Sequence, residues 1–310
     1  MQDEFPGLER DPKTRQFLNH AAAWHIRAVI HEVYETPRVD FARWALSRVK
    51  WRGDEVVLDT GFGAGAYLEA LRARAPRGTL VAGDLSLSLL DATVQRAEAR
   101  GAPLVLPPLL LMDVPALPFP DATFDVALAG HNLDHVPDID GALAELHRVL
   151  RPAGVLLAAT NSMGHSAELD VLYRRACSFL GVPDTSMPAV GSGATSPPPP
   201  ERALYLENGV PLLARHFAAV ARYDRPSSLV FPDVLSGLTY LESLRPIHEP
   251  ALPPTVSWPA LMEVMESLLG QVINHFGGLV VSKLPGVLVA TDAGDFAAPY
   301  APRLVPRGGY

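Results

Sequence analysis

Four short apolar runs, EVVLD, TLVAGD, FDVALAG and GVLLAAT, lie near residues 55, 79, 124 and 154, with helical patterning between most of them. Neighbouring parallel strands need a long crossover, and crossover helices then cover both faces of the sheet. Such strands therefore read as continuous apolar runs rather than alternating ones. The pattern predicts an α/β fold built on a doubly wound, seven-stranded, mostly parallel sheet. One intervening helix is legible in detail. IDGALAELHRVLRPAG sets Ile139, Leu143, Leu146 and Leu150 on one stripe, with Pro152 and Gly154 expected to end it.

The flanks read differently. Asp11-Pro12 is an N-cap followed by proline at the first helical position, and the helix it opens is expected to run to Thr36-Pro37. With VDFARWALSRV it makes residues 1–50 a helical N-terminal lid. The α/β domain is expected over 51–300, with insertions at about 162–215 and 232–276, and 301–310 as a tail set aside from function. GSGATSPPPPER reads as a polyproline-type surface connection. FPDVLSGLTYLESL and WPALMEVMESLLGQVINHF read as helices, and GLVVSKLPGVLVATD as a final strand or a hairpin broken at Lys-Leu-Pro-Gly.

Composition excludes several classes. A formal charge of −8 with no clustered basic run argues against a nucleic-acid partner. The single cysteine, Cys177, forms no internal disulfide, and no Cys/His cluster has the spacing of a structural zinc site. No apolar run approaches the about 18 residues of a spanning helix, and the N-terminus lacks a signal-type apolar core, so no membrane partner and a cytoplasmic location are expected.

VVLDTGFGAGAYLEAL places Asp59 at a strand end, then Gly61, Gly63 and Gly65, then a helix. This is a tight turn at the carboxyl edge of a parallel sheet, where open α/β folds bind ligands against bare backbone and free helix N–H groups. The turn alone leaves alternatives open. Gly61, Gly63 and Ala66 also satisfy a dinucleotide fingerprint, and Asp84, ending the next strand, suits an adenosine ribose in either case. A turn with no ligand is the third reading.

LLLMDVPALPFPDATFDVALAG places Asp113 at the end of a third strand, then a Leu-Pro-Phe-Pro-Asp connection, then Phe124-Asp125 opening the fourth. Together with VLDTGFGAG, VAGDLSLSLLDAT and HNLDHVPDIDGALAELHRVLRPAGVLLAATN, this ordered set resembles the class I S-adenosylmethionine-dependent methyltransferases. It is most similar to the small-molecule enzymes of the ubiquinone/menaquinone-biosynthesis type. The resemblance covers about residues 54–161, departing at Phe62, often cysteine in the family, and at Pro152-Ala153-Gly154, usually Pro-Gly-Gly. It implies S-adenosylmethionine as cofactor, its methionine part over Gly61 to Gly65 with Asp59 toward the amino group. Asp84 would accept the ribose hydroxyls, Asp113 the adenine amine, and Leu85 and the Val114 backbone would bracket the ring. Two rivals stand beside this reading: an NAD(P)-binding oxidoreductase, and a non-catalytic protein that binds S-adenosylmethionine.

Methyl transfer from a sulfonium has an excellent leaving group, so the enzyme supplies approach geometry, exclusion of water and, for a protonated nucleophile, a base. In this architecture the exit of the fourth strand faces the methyl group, and there it reads AGHNLDHVPD. His135 and then His131 are the candidate bases, since histidine titrates near neutrality. Both also read as structural or substrate-positioning residues, and HxxxH also reads as two metal ligands, although no metal is required. The flanking helices offer Phe17, Trp24, Tyr34, Trp258, Met262, Met265, His275 and Phe276 for a mostly apolar pocket, implying a small, partly apolar acceptor. Each equally reads as a residue sealing a helix onto a core.

Overall fold

A computed structural model describes residues 21–86, 89–91, 93, 94, 106–182 and 203–293. The chain forms two compact units. One comprises Asp40–Asn161, Pro200–Arg225 and Pro285–Tyr310, the other Met1–Val39, Ser162–Pro199 and Pro226–Leu284.

The first unit holds β2 (Val56–Asp59), β3 (Thr79–Asp84), β4 (Leu109–Leu111), β5 (Phe124–Gly130), β6 (Leu150–Asn161), β7 (Ala219–Asp224) and β10 (Pro285–Thr291) in one sheet of order β4-β3-β2-β5-β6-β10-β7. The first five strands run parallel, and β10 lies antiparallel between β6 and β7. Side chains alternate between two buried layers. Val57, Leu128, Leu157, Val287 and Val289 pack with α2 (Phe41–Leu46) and α3 (Leu68–Arg74), whereas Leu58, Ala127, Leu156 and Leu288 pack with α4 (Ile139–Val149). Burial on both faces is why these strands carry no polar alternation.

The α4 stripe forms with Ile139, Leu143 and Leu146 buried, and the Asp138 carboxylate caps its N-terminus by accepting from the Gly141 N–H. Its end differs from the sequence expectation. The helix stops at Val149 and β6 starts at Leu150, so Pro152 and Gly154 lie within the strand. Leu150 pairs with Phe124, the register then shifts, and Val155 pairs with Val126. Pro152 sits in that irregularity, where its missing N–H breaks no ladder.

The second unit packs α1 (Ala21–Tyr34), α5 (Ala167–Phe179), α7 (Val234–Ser243) and α9 (Trp258–Phe276) with β1 (Glu35–Thr36), β8 (Ser227–Phe231) and β9 (Leu279–Lys283), a small antiparallel sheet of order β1-β8-β9. β8 and this sheet had no counterpart in the sequence reading. The expected final hairpin is also corrected: β9 and β10 are consecutive but join different sheets. β9 alternates buried and exposed residues, as a one-faced strand does, whereas every residue of β10 is buried. The polyproline-type connection, Phe17 and the tail lie outside the described residues. Among the described residues, no helix is long and apolar enough to cross a membrane.

Candidate active site

At the carboxyl end of β2, Thr60 hangs on β5: its N–H and its hydroxyl both donate to Leu128 O, at 2.9 and 3.1 Å. The chain then turns through Gly61 to Gly65 into α3. Gly63 has φ +50° and Gly65 φ +77°, a region L side chains rarely adopt. The three glycines serve different ends. A Cβ on Gly61 would stand 2.6 Å from the Asn132 amide, and one on Gly65 would meet the Phe62 ring at 3.2 Å. Of the three, Gly63 alone opens on space among the described residues, the nearest atom to a Cβ there being Gly61 O at 4.0 Å.

The loop is held from β3. Phe62 N–H donates to Gly83 O, Gly63 N–H to Asp84 Oδ2 at 2.9 Å, and Ser86 N–H to Asp84 Oδ1 at 2.9 Å. Asp84 is 8% exposed, and burial raises its carboxyl above the ordinary range against the pull of these N–H groups. Each oxygen retains a further lone pair for a hydroxyl donor. Beyond β4, Met112 N–H donates to Asp84 O at 3.1 Å, which fixes the start of the next segment beside β3. Asp113 therefore lies two residues past the strand it was expected to end, half-buried, next to the buried Val114, while Leu85 is half-buried.

Asp59 is the most unusual group here. It is fully buried, and among the described residues neither carboxylate oxygen has a partner at full hydrogen-bond geometry. Burial pushes its pKa up to about 7; the Gly61 N–H pulls the other way and the Asp84 charge adds to the rise.

At the exit of β5, His131 adopts φ +55° and its ring lies 5.3 Å from that of Phe41. A non-glycine residue in this region costs about 1–3 kcal/mol and concentrates at functional sites. His135 closes a 3₁₀ turn over Leu133–His135, with Nε2 3.7 Å from Asp134 Oδ1 and the side chain 21% exposed. Between them stands Asn132, whose Nδ2 reaches Thr60 Oγ1 at 3.3 Å. Sequence reasoning passed over Asn132, between the two histidines, and Tyr67, whose buried hydroxyl has no hydrogen-bond partner among the described residues. The close approach of Asn132 to Gly61 and the burial of the Tyr67 hydroxyl are tertiary facts with no signature in spacing.

The expected pocket residues that fall among the described residues belong to the helical unit. Trp258 and Met265 are core residues, 3% and 1% exposed, with Trp258 Nε1 donating to Glu242 Oε2 at 2.7 Å. The Tyr34 ring lies 5.5 Å from that of Phe231, tilted by 48°, with Met262 packed against the same core. At the end of α9, Phe276 is 74% exposed and His275 is exposed beside it. These two are corrected: the helical stripe turns them to solvent. Trp24 lies on α1, its side chain outside the described residues. No group of three or more His, Cys, Asp or Glu is placed to hold a metal ion among the described residues.

The unpartnered buried carboxylate, the bare space at Gly63 and the acidic end of β3 fit S-adenosylmethionine. A methyltransferase-domain family model matches residues 58–158. Demethylmenaquinone methyltransferase of Thermus thermophilus is 32% identical over 162 residues, covering 47% of this chain and 72% of that protein. Ubiquinone/menaquinone biosynthesis C-methyltransferase of Dinoroseobacter shibae is 38% identical over 128 residues, covering 41% and 48%. Malonyl-(acyl-carrier protein) O-methyltransferase of Serratia marcescens is 36% identical over 115 residues, covering 37% and 42%. The chain thus spans less than half of two of these relatives. Among solved structures the cyclase SpnF superposes with a TM-score of 0.52 at 15% identity, over 89% of this chain and 96% of that one, a likeness of fold. The chain belongs to the class I S-adenosylmethionine-dependent methyltransferases. That membership decides between the two nucleotides the glycine turn left open.

Proposed function

We propose that this protein transfers the methyl group of S-adenosylmethionine to a small, partly apolar metabolite carrying a proton on the O, N or C that is methylated. The observation carrying the proposal is the Asp59 carboxylate, buried without a partner beside the open Gly63. The bound cofactor supplies a sulfonium methyl. The product side is S-adenosylhomocysteine, the methylated acceptor and one proton.

Within the sheet unit, Asp59, Gly61, Gly63 and Gly65 hold the amino-acid part, Asp84 the ribose, and Leu85, Asp113 and Val114 the adenine. His135 takes the acceptor proton, its imidazolium favoured by the neighbouring Asp134, and His131 is the second candidate. The relatives named for demethylmenaquinone and for ubiquinone/menaquinone biosynthesis act on small, largely apolar molecules, which supports this acceptor class.

The cofactor is tested by calorimetry with S-adenosylhomocysteine against NADH, and turnover by transfer of labelled methyl to candidate acceptors. Preference for NADH sinks the reading. His135→Gln should lower kcat by about 10²-fold with KM little changed, and remove the rising limb of the pH–rate profile. A profile the substitution leaves intact removes His135 as the base.

A further inference from the structure

Three hydrogen-bond donors of the sheet unit gather on one face at the carboxyl end of β7. The Tyr223 hydroxyl and Arg225 Nε are buried and, among the described residues, have no hydrogen-bond partner. Arg225 stands one residue past the strand, yet its N–H donates to Pro285 O at 2.8 Å. The ladder with β10 therefore continues, and the Arg225 side chain, two residues on, shares the face of Tyr223. Arg48 arrives from the end of α2, its guanidinium carbon 5.6 Å from the centre of the Tyr223 ring and 5.1 Å from that of Trp44.

The donors are held and lack a counter-charge. Arg48 Nε donates to Trp44 O at 3.2 Å and Nη2 to Ser47 Oγ at 2.8 Å, and among the described residues no carboxylate lies within ion-pair distance of Arg48 or Arg225. Asp224 alternates to the opposite face, where it is engaged by Arg222 at 2.7 and 2.9 Å. Burial raises the Tyr223 phenol above its ordinary range, against the pull of the Arg48 charge, so the hydroxyl keeps its proton.

Stacking on two rings accounts for Arg48 but leaves the buried atoms of Tyr223 and Arg225 unexplained. Two guanidiniums offer donors only, and water would bring them an acceptor without the charge to offset theirs. A carboxylate or a phosphate brings both.

This place is connected to the exit of β5. Tyr223 pairs with Val287, Val287 with Ala159 and Ala159 with Gly130, one row across the sheet spanning about 14 Å over three strand spacings. Along it the half-buried Phe41 lies 5.3 Å from the His131 ring and 5.3 Å from that of Trp44, and Trp44 lies under Arg48.

We propose that Arg48, Arg225 and Tyr223 bind an anionic oxyacid group, carboxylate or phosphate, on the methyl acceptor, whose apolar body lies along Phe41 and Trp44 toward the exit of β5. Resting on the methyltransferase reading, this adds the acceptor's charge and its distance, about 14 Å, from the atom methylated.

Calorimetry at fixed ionic strength with octanoate, octyl phosphate and uncharged octanol, on protein saturated with S-adenosylhomocysteine, tests it. The wild type should bind at least one anion tenfold or more tightly than octanol, and the anion that binds better identifies the head group. Arg48→Gln and Arg225→Gln should each cut that preference about tenfold, and Tyr223→Phe about threefold, with octanol and S-adenosylhomocysteine affinities kept within about twofold. Variants that keep the full preference, or that weaken every ligand alike as a structural role would, overturn the assignment. The wild type decides alone where a variant does not fold: anions bound no better than octanol overturn it. The same comparison runs on protein without nucleoside, so failure to bind S-adenosylhomocysteine rejects the methyltransferase reading while the anion preference still decides this site.

Discussion

Two carboxylates inside this protein meet opposite fates. In the sheet unit Asp59 is surrounded by protein and unpartnered, and its pKa is driven to about 7. In the helical unit burial would likewise raise Glu35, but His31, Lys283 and Ser227 outweigh it and hold the carboxyl at about 2. Lys283 Nζ lies 2.7 Å from Glu35 and 2.7 Å from His31 Nδ1, and the Ser227 hydroxyl donates to Glu35 at 2.6 Å. These contacts tie α1, β1, β8 and β9 to one another. The same desolvation therefore yields a lock where partners are supplied and a receptor where they are withheld.

The contrast breaks most visibly at the lock. Glu35→Ala leaves the Lys283 ammonium, 8% exposed, without its counter-charge and should lower unfolding free energy by roughly 3–5 kcal/mol in chemical denaturation. S-Adenosylhomocysteine affinity should stay within about twofold. A loss of affinity in the folded variant would mean the two carboxylates are not separable in role.

At the receptor, Asp59→Asn should weaken S-adenosylhomocysteine by about 30- to 100-fold in calorimetry, through loss of charge-assisted hydrogen bonds. It should not destabilise the unliganded fold. Asp84 is an intermediate case, buried but already accepting from two backbone N–H groups. Asp84→Ala should weaken the same ligand about 10- to 50-fold and, unlike Asp59→Asn, also lower the melting temperature, because the Gly63 loop loses its anchor.

The smallest effect is a slope. Asp59 has its folded pKa raised from 3.8 to about 7, so its contribution is intact below 3.8 and is lost as pH rises through about 7. Glu35 has its folded pKa lowered from 4.5 to about 2, so its contribution is intact above 4.5 and is lost as pH falls through about 2. In chemical denaturation, wild type minus Asp59→Asn should decline by about 1 kcal/mol per pH unit across the first window, with a flat difference rejecting the raised pKa.

What could be read in advance followed from burial on two faces. Parallel strands carry their apolar runs in sequence, and so does a turn demanding positive φ at Gly63. The small sheet was missed because Ser227–Phe231 is only five residues, two serines followed by three apolar residues, with no alternation in sequence to match its alternating burial, and its partners β1 and β9 lie far away in sequence. Trp258 and Met265 were offered as pocket lining because a helix facing a core and a helix facing a ligand carry the same stripe. At the site, acidic strand ends were legible from position, but the unsatisfied state of Asp59, Asn132 and Tyr67 depends on which neighbours fail to reach them.

The place of β10 in the sheet bears on how the protein is made. Residues 285–291 fill the slot between β6, which ends at Asn161, and β7. During synthesis, β6 waits with one edge open while well over a hundred further residues are added, several seconds or more at about 5–20 residues per second. Its buried stretch Leu156–Ala159 is an apolar edge of the kind that pairs with other chains. A nascent chain stalled before Pro285 is therefore an aggregation-prone species and a natural client for a chaperone, whereas the finished sheet closes over that edge.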